Sequence, residues 1–211
     1  MAFVLSVSHT REYGRDGVKG YADRLPAMRL FVSVDLPESL HDAVAAVQGE
    51  FADADGLSFT DPAQSHVTVK FLGDVPDGEA GAVADALETA VADAGVEPFD
   101  ATYGGLGVFP NLDYISVLWL GVEAGTEPFV RLHEAVEQEF VAFGFDPDDH
   151  EFTPHVTLAR MQHAGGKDRV QELVREWSPT VGTARVSEVR LTKSTLTHEG
   201  AEYETVASVS L

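Results

Sequence analysis

The sequence predicts an α+β fold of two related lobes, each with a mostly antiparallel sheet and helices on its outer face. Three observations carry this prediction. The order strand, helix, strand, helix, strand occurs twice, at a period of about 85–90 residues that is too long for a solenoid. The helix patterns have one apolar stripe each, and the second strand of each repeat holds a His-Val-Thr triplet. We therefore expect a pseudo-twofold axis and a central cleft between two sheets.

The first repeat opens with an apolar run bounded by Pro37, which is typical of a strand. The next segment is predicted to be a helix because its apolar residues recur every three or four positions. Gly73 is expected to stop the second strand, and an Ala-rich helix pattern follows it. The predicted elements are strands at 30–35 and 66–72, a strand ending at 104–110, and helices at 40–51 and 83–91.

The second repeat follows the same order. Its first helix has an apolar stripe that includes Phe143, and Gly144 is expected to end this helix. A loop rich in Asp and Pro then leads to the second His-Val-Thr triplet. The predicted elements are strands at 114–122, 153–160, 184–191 and 203–211, and helices at 132–143 and 170–177.

Residues 1–27 differ from the rest of the chain. They have no amphipathic pattern, and they lack the basic start and small-residue cleavage site of a signal peptide. We predict a mobile leader at 1–27 that stems from an upstream start or an added segment, with a docked N-terminal strand as the alternative. Residues 28–211 are predicted to form the single two-lobed domain, beginning naturally at Met28.

The chain is strongly acidic, with 35 Asp and Glu against 14 Lys and Arg and a net charge of −21. The acidic residues are scattered, so they do not form a tail. Self-repulsion of this size is costly in dilute buffer and is relieved at high salt, which predicts a halophilic source; an ordinary acidic protein is the alternative. The charge also disfavours an anionic partner such as RNA, so a site for RNA must overcome it.

Composition excludes several other classes of protein. Without cysteine the chain has no disulfide, no thiolate nucleophile and no Cys-ligated metal. The longest apolar stretch, 114–122, is far shorter than the roughly 20 residues of a membrane-spanning helix. We predict a cytoplasmic protein with no membrane association and no obligate protein partner. No histidine spacing matches a zinc signature and no phosphate-binding Gly-rich loop is present, so we expect no metal and no cofactor.

The repeated triplets carry the candidate chemistry. Side chains alternate along a strand, so His66 and Thr68 share one face, and His155 and Thr157 share the equivalent face. Two imidazoles across a cleft suit proton transfer at both ends of a displacement, one as acid and one as base. The threonine hydroxyls can donate to oxygens on which charge develops. One such triplet carries little information, but two copies in equivalent frames favour a shared site.

The residues around the triplets resemble those of the two-histidine phosphoesterases, and within them the RNA 2′,3′-cyclic phosphodiesterases, also called 2′-5′ RNA ligases. The resemblance covers 28–211. It rests on these segments: Met28-Arg-Leu-Phe-Val, Asp35-Leu-Pro, His66-Val-Thr-Val-Lys-Phe-Leu-Gly, Leu106-Gly-Val-Phe-Pro, Phe152-Thr-Pro-His-Val-Thr-Leu-Ala-Arg and Ser194-Thr-Leu.

This resemblance implies a bilobal fold and hydrolysis of a 2′,3′-cyclic phosphate at an RNA end to a 2′-phosphate. By carry-over His66 is the acid that protonates the leaving 3′ oxygen, and His155 is the base that activates water. The residues alone do not show which histidine is the acid and which is the base. Joining of RNA ends by the reverse chemistry is implied as well, and it needs no ATP.

The resemblance also assigns substrate contacts. Thr68 and Thr157 hold the phosphate, Arg160 contacts it, and Phe71 stacks on the terminal base. Core packing is the alternative for Phe71. Lys70 lies on the His66 face by alternation and is expected to add positive potential, with a solvated strand-end lysine as the alternative.

Two other functions stay open at the level of the sequence. The first is a cyclic phosphodiesterase that acts on small nucleotides. The second is a nucleotide- or RNA-binding module without catalysis, which a matched pair of histidines disfavours because binding alone needs no acid and base.

Overall fold

The computed structural model describes residues 27–198 and 200–211. The predicted leader at 1–27 lies outside these residues except for Ala27, which begins the first strand. The described chain contains nine strands: β1 (Ala27–Asp35), β2 (Leu57–Phe59), β3 (His66–Pro76), β4 (Phe99–Asn111), β5 (Tyr114–Ala124), β6 (His155–Met161), β7 (Thr180–Val186), β8 (Glu188–Thr197) and β9 (Gly200–Ser210). It contains four α-helices: α1 (His41–Gly49), α2 (Ala80–Ala94), α3 (Thr126–Phe143) and α4 (Lys167–Glu176).

The strands pair in the order β7-β4-β5-β6-β3-β1-β8-β9, and β2 adds to β6. All pairings are antiparallel. We call β3-β1-β8-β9 the His66 half and β7-β4-β5-β6 the His155 half. They are joined by one residue pair, Val67 opposite Val156. The predicted α+β fold with antiparallel strands is confirmed, but the two expected sheets are the two halves of one continuous nine-stranded sheet.

The sequence repeats exchange their outer strands. β4 belongs to the first repeat but lies beside β5 in the His155 half, whereas β8 belongs to the second repeat but lies beside β1 in the His66 half. The pseudo-twofold axis therefore passes between β3 and β6, at the pair Val67 and Val156. This exchange ties the two halves into one domain.

Two strand predictions are wrong. Gly73 does not stop the second strand, because β3 continues to Pro76 and stays paired with β1. The stretch 184–191 is not a single strand, because β7 ends at Val186 and β8 begins at Glu188. β7 pairs with β4 and β8 pairs with β1, so the chain passes from one half to the other at Ser187. Buried Val186 and Val189 are three positions apart, whereas residues on one face of a continuous strand are separated by an even number of positions. This odd spacing was the signal in the sequence that the stretch is not one strand. The three-residue strand β2 lies between the predicted helix at 40–51 and the predicted strand at 66–72, where the sequence predicts no element.

The helices bury the predicted stripes against the apolar faces of the sheets. The buried helix residues are Val44 and Val47 of α1, Val83, Leu87 and Val91 of α2, Leu132, Val136 and Phe140 of α3, and Val170 of α4. The core is continuous across both halves. Phe143 is an exception at 42% exposed, and it packs on Phe145 at the surface. Gly144 ends α3 as predicted, with a positive φ that suits glycine.

No helix in the described ranges is long and apolar enough to cross a membrane.

Candidate active site

β3 and β6, which carry the two His-Val-Thr triplets and are called the motif strands, meet at the centre of the sheet. Val67 and Val156 face each other there and are fully buried in the core. Because side chains alternate on a strand, the histidine and threonine on either side of each valine lie on the opposite face, where they are half-buried. Both imidazoles therefore lie on one face of the sheet, on strands that adjoin.

Each imidazole is held by the same local hydrogen bond. Nδ1 of His66 lies 2.8 Å from the carbonyl oxygen of Gln64, and Nδ1 of His155 lies 2.6 Å from that of Thr153. A carbonyl oxygen only accepts, so Nδ1 carries the proton and donates it in both cases. Nε2 is left for the substrate. Both partners stand two residues before the histidine, so this contact is built into each repeat.

Aromatic rings pack against both imidazoles. The ring of His66 lies 5.0 Å from those of Phe31 and Tyr203. The ring of His155 lies 4.9 Å from Phe109, edge to face, and 6.0 Å from Trp119. The sequence analysis assigned no role to these four aromatic residues, although Phe31 and Phe109 lie in segments that carry the family resemblance.

This packing controls the protonation of both histidines. Burial lowers the pKa of His66 below 6.5, opposed by the bond to Gln64 and by the charge of Asp35. Burial also lowers the pKa of His155, where the bond to Thr153 opposes it and the charges of His66 and Arg160 add to it. The two sites thus differ in the sign of their nearest fixed charge.

A β-bulge follows the threonine in each motif strand. The register of β3 against β1 skips Val69, and the register of β6 against β5 skips Leu158. An extra residue reverses the alternation beyond it. The burial order is consequently the same in both motifs, and Phe71 and Arg160 occupy equivalent exposed positions.

The bulge corrects the prediction for Lys70. Simple alternation placed its side chain on the His66 face, but it is buried, with 1% exposed. Its ammonium group contacts Glu137 and lies 3.1 Å from Asp148 and 3.2 Å from the carbonyl oxygen of Asp146. Lys70 is therefore not available to a substrate. It connects the first motif strand to α3 and to the loop before the second motif.

Phe71 and Arg160 are free to contact a ligand. Phe71 is 66% exposed and packs on Phe31 at 5.9 Å, so the alternative of core packing is excluded. Arg160 is exposed, and within 27–198 and 200–211 its guanidinium has no hydrogen bond or ion pair. Burial, the charge of His66 and the charge of Arg160 all lower the pKa of His155.

Comparison with known proteins shows the family in which this pair of His-x-Thr motifs occurs. The model of the 2′-5′ RNA ligase superfamily matches residues 36–197, which include both motifs. The chain belongs to this superfamily. Its relatives include the RNA 2′,3′-cyclic phosphodiesterase of Methanothermobacter thermautotrophicus, 39% identical over 178 residues, with 83% of this chain and 95% of the relative covered. The protein of the same name from Thermus thermophilus is 32% identical over 191 residues, covering 87% and 90%.

Solved structures of similar fold agree with this membership. A crystal structure of a Thermus thermophilus protein covers 87% of this chain and 98% of its own, at 30% identity and a TM-score of 0.73. E. coli LigT in complex with 3′-AMP covers 88% and 99%, at 20% identity and a TM-score of 0.71. At that identity the likeness to LigT shows the fold alone.

In this chain a further set of polar residues lies beside His66, and the sequence analysis did not identify them as a group. Asp35 at the end of β1, Arg190 and Thr192 of β8, and Tyr203 of β9 line a polar cavity together with His66. No spacing in the sequence joins these residues, because β8 and β9 come from the far end of the chain. In the part of the chain that the structure describes, no group of three or more His, Asp or Glu side chains could hold a metal ion.

Proposed function

We propose that the protein hydrolyses 2′,3′-cyclic phosphates at RNA ends to 2′-phosphates by paired histidine acid–base catalysis. The observation that carries the proposal is the pair of His-x-Thr motifs on adjoining strands, each imidazole fixed through Nδ1 with Nε2 free. Relatives that share 39% and 32% identity over most of their length are named RNA 2′,3′-cyclic phosphodiesterases.

The proposed reaction is an in-line displacement at phosphorus. Nε2 of His155 takes a proton from water, the water oxygen bonds to phosphorus, and the bond from phosphorus to the 3′ oxygen breaks. Nε2 of His66 gives its proton to that oxygen. One water is consumed, a 2′-phosphomonoester and a 3′-hydroxyl are formed, and exchange with solvent restores the two imidazoles.

Neighbouring side chains stabilise the charge that develops on the phosphate. The hydroxyls of Thr68 and Thr157 lie on the same face as the histidines and donate to the non-bridging oxygens. Arg160 brings a cation with no carboxylate partner among the described residues, which offsets part of the repulsion from a net charge of −21. Phe71 offers an exposed ring on which a base can stack, independent of its identity.

Joining of two RNA ends is the second proposed activity. A 5′-hydroxyl that takes the place of water would yield a 2′-5′ linkage by the same proton transfers, with no nucleotide cofactor. The superfamily to which the chain belongs is named for this reaction.

The test uses an end-labelled oligonucleotide that terminates in a 2′,3′-cyclic phosphate. We expect turnover to a 2′-phosphate that persists in EDTA, and faster turnover of the oligonucleotide than of a cyclic mononucleotide. Mainly 3′-phosphate would reverse the roles of the two histidines. Loss of activity in EDTA with recovery on adding metal would contradict the two-histidine mechanism. Binding without turnover would favour a non-catalytic module.

A further inference from the structure

The strands beside the two motifs can be compared residue by residue. β1 lies beside β3 and β5 lies beside β6, with the same register in both pairs. In this register Asp35 stands opposite His66, and Gly121 stands opposite His155. A carboxylate thus adjoins one imidazole, and the equivalent place beside the other has no side chain. A Cβ at Gly121 would lie 3.0 Å from the carbonyl oxygen of Gly104, so that place is closed.

Asp35 is held in position by two elements. Its Oδ2 accepts a hydrogen bond of 2.6 Å from Nη1 of Arg190, and its Oδ1 accepts one of 3.3 Å from Ser33. Ser33 is fixed in turn by Thr192, 2.8 Å away and buried. Arg190 also donates to Glu188, at 2.7 Å from Nε. The row Asp35, Arg190, Glu188 alternates in charge and carries one net negative charge.

We propose that Asp35, held by Arg190, is a positioning residue that keeps the exchangeable proton of the histidine pair on His66. The proposal rests on the proposed function. It assigns His66 as the acid and His155 as the base from fixed charges in this chain. Asp35 acts through His66 and does not contact the substrate.

The other charged groups around His66 come from several elements. The cavity beside it is lined by Glu38 and His41 at the start of the first helical segment, Arg185 of β7, Glu188 and Arg190 of β8, and Tyr203 of β9. Arg185 is paired with Asp100 at 3.3 Å. From β6 the facing group is His155. On the wall next to His66, the three carboxylates of Asp35, Glu38 and Glu188 therefore outnumber the two guanidinium groups of Arg185 and Arg190.

The environment of His155 has the opposite sign. Burial lowers the pKa of both imidazoles, but the fixed charge of Arg160 lowers that of His155 further, whereas the fixed charge of Asp35 raises that of His66. When the pair holds one proton, these charges favour His66 as its site. A protonated His66 can donate to the leaving 3′ oxygen, and a neutral His155 can accept from water.

Two substitutions within the one ion pair give opposite predictions. Asp35→Asn removes the negative charge, so the pKa of His66 falls and the alkaline limb of the kcat/KM profile moves to lower pH. Arg190→Gln removes the compensating cation, so the pKa of His66 rises and the alkaline limb of the kcat/KM profile moves to higher pH. For Asp35→Asn we expect kcat/KM to fall by about tenfold near pH 8, the effect of one neighbouring opposite charge. The loss should shrink toward lower pH, where the acid is protonated again.

The readout is the titration of both imidazoles by NMR on ¹³C-labelled histidine, together with the pH profile of kcat/KM. The matched controls are Asp53→Asn and Arg169→Gln. Arg169 bridges Asp53 and Glu172 at 3.3 and 3.2 Å in the same charge order, and none of the three lines the cavity. Asp35→Glu keeps the charge and should keep the pH profile.

Opposite displacements of the His66 titration in the two variants, with unchanged controls, support the proposal. Displacements in the same direction, or a larger change at His155 than at His66, overturn it. If Arg190→Gln does not fold, Asp35→Asn against Asp35→Glu decides on the same criterion. Since the NMR titration needs no turnover, inactivity of the wild-type enzyme on cyclic RNA ends would contradict the proposed function and leave this test in force.

Discussion

The His66 and His155 motif strands are nearly superposable in design but differ in their neighbours. Both place a histidine and a threonine around a buried valine, both fix Nδ1 on the carbonyl two residues earlier, and both bulge after the threonine. Duplication of one strand–helix–strand unit accounts for these shared features. The shared features supply two imidazoles of the same tautomer and orientation.

The side chains that differ between the two motif strands make the site asymmetric. Phe71 in one strand corresponds to Arg160 in the other, and buried Lys70 corresponds to Ala159. A symmetric site would have no preference for which imidazole holds the proton or which side binds the base. At this equivalent position one motif strand therefore presents an exposed aromatic ring and the other an exposed cation, and under the proposed function this asymmetry would orient an RNA end between them.

Removing either histidine tests what the two strands share, and we expect the largest effect here. His66→Ala and His155→Ala should each lower kcat/KM by about 10²–10⁴, the contribution of a positioned acid or base. The double variant should be little worse than the singles, because both groups act in one displacement. His150→Ala, at an exposed histidine paired with Asp149, is the control and should retain activity. Full additivity in the double variant would argue against a concerted pair.

Lys70→Ala gives the His66 strand the residue of its counterpart, Ala159. The substitution leaves Glu137 and Asp148 without their cation in a partly buried place. We expect the free energy of unfolding to fall by about 2–4 kcal/mol, near the lower end for a broken buried pair because both carboxylates keep some exposure. Chemical denaturation measures this. Lys193→Ala, at a surface pair with Glu204, should change stability by less than about 1 kcal/mol. Equal effects would show that Lys70 is not a structural residue.

Arg160→Ala removes the exposed cation of the His155 strand, which has Phe71 as its counterpart in the His66 strand. A charge-assisted hydrogen bond to phosphate contributes about 1.5–3 kcal/mol, so kcat/KM should fall by roughly 10- to 100-fold. Arg175→Ala, at an exposed arginine on α4, should be neutral. A neutral Arg160→Ala would remove this residue from the phosphate site.

Phe71→Ala removes the exposed ring of the His66 strand. Stacking of one base contributes about 1–3 kcal/mol, and most of the loss should appear in KM for an oligonucleotide. Phe71→Tyr should retain the affinity, and Phe143→Ala, another exposed ring, should not change KM. A fall in kcat alone would indicate that Phe71 supports Phe31 and His66 and does not bind a base.

The sequence predicted much of this comparison, and its predictions failed where strand register and pairing, which local alternation does not reveal, decide the geometry. Alternation correctly placed the histidines and threonines on one face, because these residues precede the bulges. It misplaced Lys70, which follows a bulge, since an extra residue reverses every later side chain. The crossing at Ser187 was likewise hidden within an apolar run. Asp35 and Arg190 were missed because strand pairing across 155 positions, and no local pattern, brings them together.

The smallest predicted effect concerns stability against pH. Burial lowers the pKa of both histidines from an ordinary value of 6.5, so the unfolded chain binds more protons than the folded one below that pH. The histidines therefore contribute their full stabilisation above about pH 6.5, and it is lost as the pH falls through the lowered values. Thermal unfolding of the wild type should show this decline as the pH falls below about 6.5. The double variant His66→Ala/His155→Ala should show a flatter profile there, whereas His150→Ala should follow the wild type. Because Asp35 opposes the shift at His66 and nothing equivalent stands beside His155, His155→Ala should flatten the profile more than His66→Ala. Equal flattening by the two single variants would mean that the fixed charges of the two halves do not distinguish the imidazoles.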